Sequence, residues 1–242
     1  MTIHHCKWQD LHWDMEAPID ALITDPPFSP RTAIGMSGRR KDGQASTVCD
    51  YGSISAEDAH AFARFFAPLT SSWAVIFSDH IAWDWHRRAW EACGWYTFAP
   101  VPFIKTNGSP RFAGDGPASM AEWILVARPV GRPTVMKSRR GWYQGANVNQ
   151  EGGRRRAGHK PAWLLQQVIA DYTEPGDVIP DPYAGTATIG AAAIGGGRRY
   201  VGTEVDAQAH AMARARLDRV EPHLPGLLTG KQPDLIGGGG AQ

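Results

Sequence analysis

Long apolar runs are missing from this 242-residue chain, and no stretch approaches the roughly 20 residues that a membrane-spanning helix needs. Met1 to Asp10 has neither the basic flank nor the apolar stretch of a secretion signal. Cysteine is scarce. Cys6, Cys49 and Cys93 are scattered and odd in number, which argues against a disulfide framework and for a reducing, cytoplasmic setting. The histidines and cysteines make no H-x-x-x-H or C-x-x-C arrangement, so no metal is expected. G-x-x-x-x-G-K-[ST] is absent, which excludes a P-loop, and no internal repeat is present. Net charge is also nearly absent, at +1.

What is present is enough for one sizeable core, with 43% hydrophobic and 20% charged residues. Short apolar strands alternate with helical stretches. Ile19–Ile23, Ala74–Phe77, Val178–Ile179 and Tyr200–Val201 read as buried strands, each followed closely by an acid: Asp25, Asp79, Asp181 and Glu204. Helices are expected at Ala56–Pro68, Ile81–Cys93, Ala162–Tyr172, Thr186–Ile194 and Ala207–Val220. Tyr96–Phe103 and Trp123–Ala127 read as a further strand pair. The alternation predicts an α/β fold, a mostly parallel sheet covered on both faces. Trp83, Trp85 and Trp90 read as packing or interface residues rather than base-stacking ones. Residues 1–221 read as one domain and 222–242, ending in Gly237–Gly240, as a flexible tail.

Thr24-Asp25-Pro26-Pro27-Phe28 ends the first buried strand. Proline lacks an N–H and keeps the preceding residue out of helix, so Asp25 is left at the strand's carboxyl end, where open α/β sheets bind ligands. An acid and a fixed carbonyl can hold the two hydrogens of an amino group while a ring stacks on its base. The plain alternative is a strand that ends in a proline turn. After Phe28, the basic, glycine-containing stretch 29–55 reads as a lid or substrate-contacting loop.

Asp181-Pro182-Tyr183-Ala184-Gly185-Thr186-Ala187-Thr188-Ile189-Gly190 lies between a strand and a helix, the position of a nucleotide-binding turn. Glu204 ends the next strand, at a spacing suited to accepting hydrogen bonds from both ribose hydroxyls. Ala187 takes the place of the middle glycine that makes room for pyrophosphate in dinucleotide folds. A ligand with a ribose, an ammonium group and no phosphate, such as S-adenosylmethionine, therefore fits better than NAD or ATP.

Charge is unevenly spread. Between Gly131 and Lys160 stand Arg132, Lys137, Arg139, Arg140, Arg154, Arg155, Arg156 and Lys160 against the single acid Glu151. This surplus of seven leaves the rest of the chain six negative, and such a stripe suits nucleic acid, with a solvated loop as the alternative.

In this order, these motifs resemble the β-type amino-DNA methyltransferases: T-D-P-P-[YF], a basic variable segment, a K-P dipeptide opening a helix, D-P-F-A-G-S-G-T-T-G and G-x-E-x-D. Thr24 to Phe28, the segment 104–158, Lys160-Pro161, Asp181 to Gly190 and Gly202 to Asp206 match them, with Ala187 at the family's second glycine and Phe28 at its commoner tyrosine. The resemblance implies a Rossmann-like methyltransferase fold with a seven-stranded sheet and permuted motif order. It implies S-adenosylmethionine as methyl donor, without metal, and DNA as partner. Asp25, Pro26, Pro27 and Phe28 would hold a flipped base, adenine before cytosine. Asp181 would hold the cofactor's ammonium, Lys160 and Pro161 would sit near its carboxylate, and Glu204 would hold its ribose. Pro182, Tyr183, Gly185, Thr186 and Thr188 would line the pocket. Arg139, Arg140, Arg154, Arg155 and Arg156 would contact DNA. The same geometry admits RNA or a protein amide as acceptor, or a non-catalytic DNA-binding relic. Whether the chain acts as a homodimer, or beside a restriction enzyme, stays open.

Overall fold

The computed structural model describes residues 2–13, 19–32, 52–107, 117–131, 137–147 and 159–221. Among them, strand β1 (Thr2–His4) and a 3₁₀ turn (Trp8–Asp10) lead to β2 (Ile19–Thr24). Helix α1 (Ala56–Phe66), β3 (Thr70–Ser78), α2 (Ala82–Ala92), β4 (Trp95–Thr97), β5 (Val101–Lys105), β6 (Ala121–Pro129) and β7 (Tyr143–Gly145) follow. The chain continues with α3 (Ala162–Tyr172), β8 (Val178–Asp181), α4 (Thr188–Gly195), β9 (Arg199–Thr203) and α5 (Ala207–Leu217).

The strands form two hydrogen-bonded ladders, β1-β9-β8 and β2-β3-β6-β5-β7, with β4 on the end of β6. At the seam β8 lies alongside β2. There the Asp20 carboxylate accepts the Val178 N–H at 2.8 Å, and the Thr24 hydroxyl donates to Asp181 at 2.8 Å. Start meets start and end meets end, so the two strands run in parallel. Among the described strands only β6 runs against its neighbours, β3, β4 and β5. The first ladder has three strands and the second six, five along its path and β4 beside β6, which makes nine described strands.

Both faces are covered, for a reason visible in the side-chain alternation. In β2 and β3, Leu22, Ala74 and Ile76 turn toward α1 and α2, packing with Phe62, Phe66 and Trp90. Ala21, Ile23, Val75 and Phe77 turn the other way, toward Leu164 and Val168 of α3, Ile189 of α4 and Leu217 of α5. Trp90 is fully buried, and Trp83 and Trp85 pack against the first of these clusters, so all three are packing residues. Ser55 caps α1 through a reciprocal box with Asp58, worth about 1 kcal/mol. The expected strand 96–103 is broken into β4 and β5, with Pro100 between them. No described helix is long and apolar enough to cross a membrane.

Ala187 in the turn after β8 and Gly190 in the first turn of α4 carry constraints of different kinds. A Cβ on Gly190 would lie 2.6 Å from the ring of Tyr200, so α4 can approach β9 only if that residue is glycine. Ala187 instead adopts left-handed φ 56°, ψ 43°, and its methyl is sealed in the core. The Ala187 methyl therefore faces packing rather than the open side of the turn, and glycine at this position would serve the backbone angle.

The two sites should respond oppositely to substitution. Gly190→Ala is expected to cost about 1–3 kcal/mol by overpacking against Tyr200. Ala187→Gly relieves about 1–2 kcal/mol of left-handed strain but gives up a buried methyl worth about 0.8 kcal/mol, so it should stay within about 1 kcal/mol of the parent. Urea midpoints at constant slope measure both, and equal losses would contradict this description of the turn.

Candidate active site

Strand ends β2, β3, β8 and β9 put their acids on one edge of the molecule. β2 stops because Pro26 and Pro27 offer no N–H to continue it. The loop beyond is fixed by Asp79, at the end of β3. Its carboxylate accepts the Ser29 N–H at 2.9 Å and the Ser29 hydroxyl at 2.5 Å, and also the N–H groups of Ile81 and Ala82 at the start of α2. Burial works to raise the Asp79 pKa, but these hydrogen bonds and one from Thr32 win and hold it below the usual value. Asp79 is therefore structural: it caps α2 and holds the Asp25–Phe28 corner. The Phe28 carbonyl accepts the Ile54 N–H at 3.1 Å, which joins the far end of the 29–55 stretch to its start. Residues 33–51 of that stretch lie outside the described residues.

Asp25 has two dissimilar oxygens. Oδ2 accepts from the Lys160 ammonium at 2.5 Å, whereas Oδ1 is buried and has no hydrogen-bond partner. Burial is the main reason the Asp25 carboxyl is pushed up in pKa, with Lys160 opposing it. Lys160 itself is 5% exposed and lies 5.0 Å from the centre of the Phe28 ring and 5.3 Å from that of Phe77. It also stands 3.3 Å from Glu122 of β6, whose other oxygen pairs with Lys105 of β5. Lys160 was expected near the cofactor's carboxylate. Its charge here is taken up by Asp25 and Glu122. Pro161 is buried beside it and precedes the first turn of α3.

The turn after β8 is held from below and left open above. Glu204, at the end of β9, accepts the Gly185 N–H with one oxygen and the Asp206 N–H with the other, both at 2.8 Å. Burial raises the Glu204 pKa against the pull of these bonds. Gly185 takes φ 54°, and a Cβ there would meet nothing within 4 Å. Thr186 exchanges a hydrogen bond with His159 at 3.0 Å, which ties the residue before Lys160 to the turn. The buried Pro182 gives its carbonyl to the Thr203 hydroxyl. The Tyr183 hydroxyl accepts from the Trp8 indole at 3.0 Å, and the half-buried Thr188 opens α4.

Asp181 departs from expectation. It is 0% exposed, with Oδ1 taken by the Thr24 hydroxyl and Oδ2 by the Tyr200 hydroxyl at 3.2 Å. Burial pushes its pKa up to about 7 despite those bonds. In this conformation no ligand ammonium reaches it. Its work here is to join β2, β8 and β9.

The basic segment is divided. Arg139 donates to the Asp171 carbonyl at 2.8 Å and lies 4.4 Å from the centre of the Trp73 ring. Arg140 pairs with the Asp171 carboxylate at 2.6 Å. Asp171 is in the last turn of α3, whose first turn adjoins Lys160, so both arginines stand at the opposite end of that helix from the site. Here their charge fastens the segment before β7 to α3. Arg154, Arg155 and Arg156 lie outside the described residues. In sequence the nearest described residues on either side are Asn147, whose N–H donates to the Asn107 side-chain oxygen, and His159.

The sequence reading missed Glu122, Lys105, Tyr200 and His159. Glu122 sits in an apolar strand where a charge is costly, and that was the available signal. The other three carry none, because their roles arise from the fold.

An acid whose folded pKa exceeds its unfolded value binds more protons when folded. The associated stability is complete below the unfolded pKa and is lost as pH rises toward the folded one. For Asp181 that window runs from its ordinary 3.8 to about 7. Relative to Asp181→Asn, the parent is expected to lose stability across this window, as read by unfolding at several pH values. A constant difference would mean that Asp181 does not titrate there.

Comparison with known proteins agrees with this geometry. Residues 19–215 match the family of N6 and N4 DNA methylases. The chain is 27% identical to type II methyltransferase M2.DpnII of Streptococcus pneumoniae over 227 residues, 83% of this chain and 82% of that protein. It is 42% identical over 59 residues to DNA adenine methyltransferase YhdJ of Escherichia coli K12, covering 24% and 20% of the two chains. In fold it is similar to the crystal structure of the M1.HpyAVI–SAM complex, with TM-score 0.63, 21% identity, and coverage of 89% of this chain and 98% of that one. With the motif order and the converging strand ends, these matches show that the chain belongs to the N6/N4 DNA methylase family.

Proposed function

We propose that this chain methylates an exocyclic amino nitrogen of a base flipped out of duplex DNA, adenine N6 ahead of cytosine N4, with S-adenosylmethionine as donor. One observation carries the reading. Thr24, directly before Asp25, bonds to Asp181, the first residue of the cofactor turn, so acceptor and donor sites start from adjoining strand ends. Residues 1–221 would form a single methyltransferase domain in which 104–158 reads the target.

The residues fit the donor. Gly185 leaves open space above the turn, and the Glu204 carboxylate, which accepts the Gly185 and Asp206 N–H groups among its backbone bonds, keeps acceptor capacity for a ribose hydroxyl. The M1.HpyAVI structure, similar in fold, is a SAM complex. Pro182, Tyr183, Thr186 and Thr188 would line the pocket, and His159 would steady it through Thr186. When bound, the sulfonium supplies an electrophilic methyl group.

An amino nitrogen on a base is a poor nucleophile because its lone pair is delocalised into the ring. Asp25 Oδ1 would accept one N–H and the Pro26 carbonyl the other, which lets the nitrogen pyramidalise. Catalysis is then mostly positioning and electrostatics. Because a paired base cannot reach Asp25, the base must be flipped. One face of Phe28 is covered by Lys160, so stacking would use the other. Adenine is preferred because, in the resembling family, Asp at the first motif position accompanies adenine. The partial match to an adenine methyltransferase supports that choice. Arg154, Arg155 and Arg156 remain the proposed phosphate contacts.

Asp25→Ala is expected to abolish methyl transfer to duplex DNA while leaving cofactor affinity near normal. Glu204→Ala should weaken cofactor binding by about 1–3 kcal/mol, as for a lost charged hydrogen bond. Radiolabelled transfer to duplex DNA, RNA and protein, followed by identification of the methylated base, checks the substrate. Transfer to RNA or protein alone, or near-normal turnover by Asp25→Ala, would refute the proposal.

A further inference from the structure

Four side chains of alternating charge cross the site, from β5 to the end of β2: Lys105, Glu122, Lys160 and Asp25. Lys105 pairs with Glu122 Oε1. Lys160 lies 3.3 Å from Glu122 Oε2 and 2.5 Å from Asp25 Oδ2. All four are largely buried. Burying such ions costs several kcal/mol each before their attraction returns it, and apolar residues would hold the same strands at least as well. The row therefore calls for an explanation beyond stability.

The pairing is lopsided. Asp25 Oδ1 and Glu122 Oε2 are both buried without a hydrogen-bond partner. The Lys160 ammonium lies 3.3 Å from Glu122 Oε2 and bonds to Asp25 through Oδ2, not Oδ1. A lysine ammonium is a compact charge on a flexible stem, free to settle between the two oxygens of a carboxylate. Here Glu122 draws it to one side, and the rings of Phe28 and Phe77 confine it.

We propose that Glu122 is a positioning residue for methyl transfer: by anchoring Lys160 it restricts the ammonium to Oδ2 of Asp25 and keeps Oδ1 free for the substrate's amino N–H. The inference rests on the function proposed above. Lys105 belongs to the same device, because it fixes the Glu122 carboxylate from the outer side. The charges that face Asp25 are Lys160 ahead of α3, Glu122 on β6, Lys105 on β5 and, behind the seam, Asp181 on β8. Loss of the Glu122 charge would let Lys160 close fully on Asp25, so that the ammonium competes with the substrate for Oδ1. It would also make Asp25 more acidic, since the negative charge of Glu122 opposes its ionisation.

The test is steady-state and single-turnover methylation of duplex DNA by full-length parent, Glu122→Gln and Lys105→Met, over a range of pH. Glu122→Gln is expected to lower kcat about 10- to 100-fold, as a misplacement of about 1 Å would, with KM for DNA and cofactor nearly unchanged. Its acidic limb should move to lower pH. Lys105→Met removes a positive charge from the same row, so its acidic limb should move to higher pH. Opposite shifts identify a charge row acting on Asp25, and if Glu122→Gln folds poorly the move of the Lys105→Met limb to higher pH is still read by itself, an unmoved limb counting against the row. Parent-like kcat and limb in Glu122→Gln, or shifts of both variants in one direction, would overturn the inference while leaving the methyltransferase reading intact. A parent that methylates no base at all would overturn both.

Discussion

The molecule depends on the seam where β2 and β8 meet. There the Thr24 hydroxyl bonds to one oxygen of Asp181 and the Tyr200 hydroxyl to the other, so one buried carboxylate gathers β2, β8 and β9. The next residue after Thr24 is Asp25, and the next after Asp181 opens the turn that Glu204 clamps through Gly185. The separation between the proposed acceptor and cofactor sites is thus set by hydrogen bonds among strand ends. Gly190 belongs to the same arrangement, since without its missing Cβ the Tyr200 ring could not sit where its hydroxyl reaches Asp181.

Stability is given up along this edge. Asp25, Asp181 and Glu204 are all raised in pKa, chiefly by burial, and Ala187 holds a left-handed backbone that alanine adopts only at a cost. Lys160 is buried among rings and carboxylates. Asp181 and Glu204 meet the cost of burial with hydrogen bonds to both oxygens, whereas Asp25 Oδ1 is buried without a hydrogen-bond partner.

Much of this was legible in the sequence because it follows from local rules. Apolar alternation marked β2 and β3, Pro26-Pro27 fixed where β2 ends, and Ser55 marked the start of α1, so the acids could be placed at strand ends. The roles of those acids were less legible. Asp181 looked like a ligand for the cofactor's ammonium, yet its burial depends on Thr24, 157 positions away. Lys160 looked like a cofactor contact, and its partners Asp25 and Glu122 come from two other strands. Arg139 and Arg140 looked like phosphate contacts because charge runs resemble one another in sequence. Only the packing of β7 against β5 and α3 brings them onto Asp171. The three-residue β7 left no periodic trace, and its place depends on Tyr143, which bonds to Asp171, and on Gly145, which lies against the Trp163 ring.

The central claim is that Asp25 offers one free oxygen to the target amine while Lys160 holds the other. Its most direct test is a crystal structure of the chain with a non-transferable cofactor analogue and a duplex containing its target site. The account predicts an extruded base stacked on the face of Phe28 away from Lys160. Its amino nitrogen should lie within about 3.2 Å of both Asp25 Oδ1 and the Pro26 carbonyl, with Lys160 still on Oδ2. A base seated with its amine away from Asp25, or with Lys160 bridging both oxygens of Asp25, would contradict it.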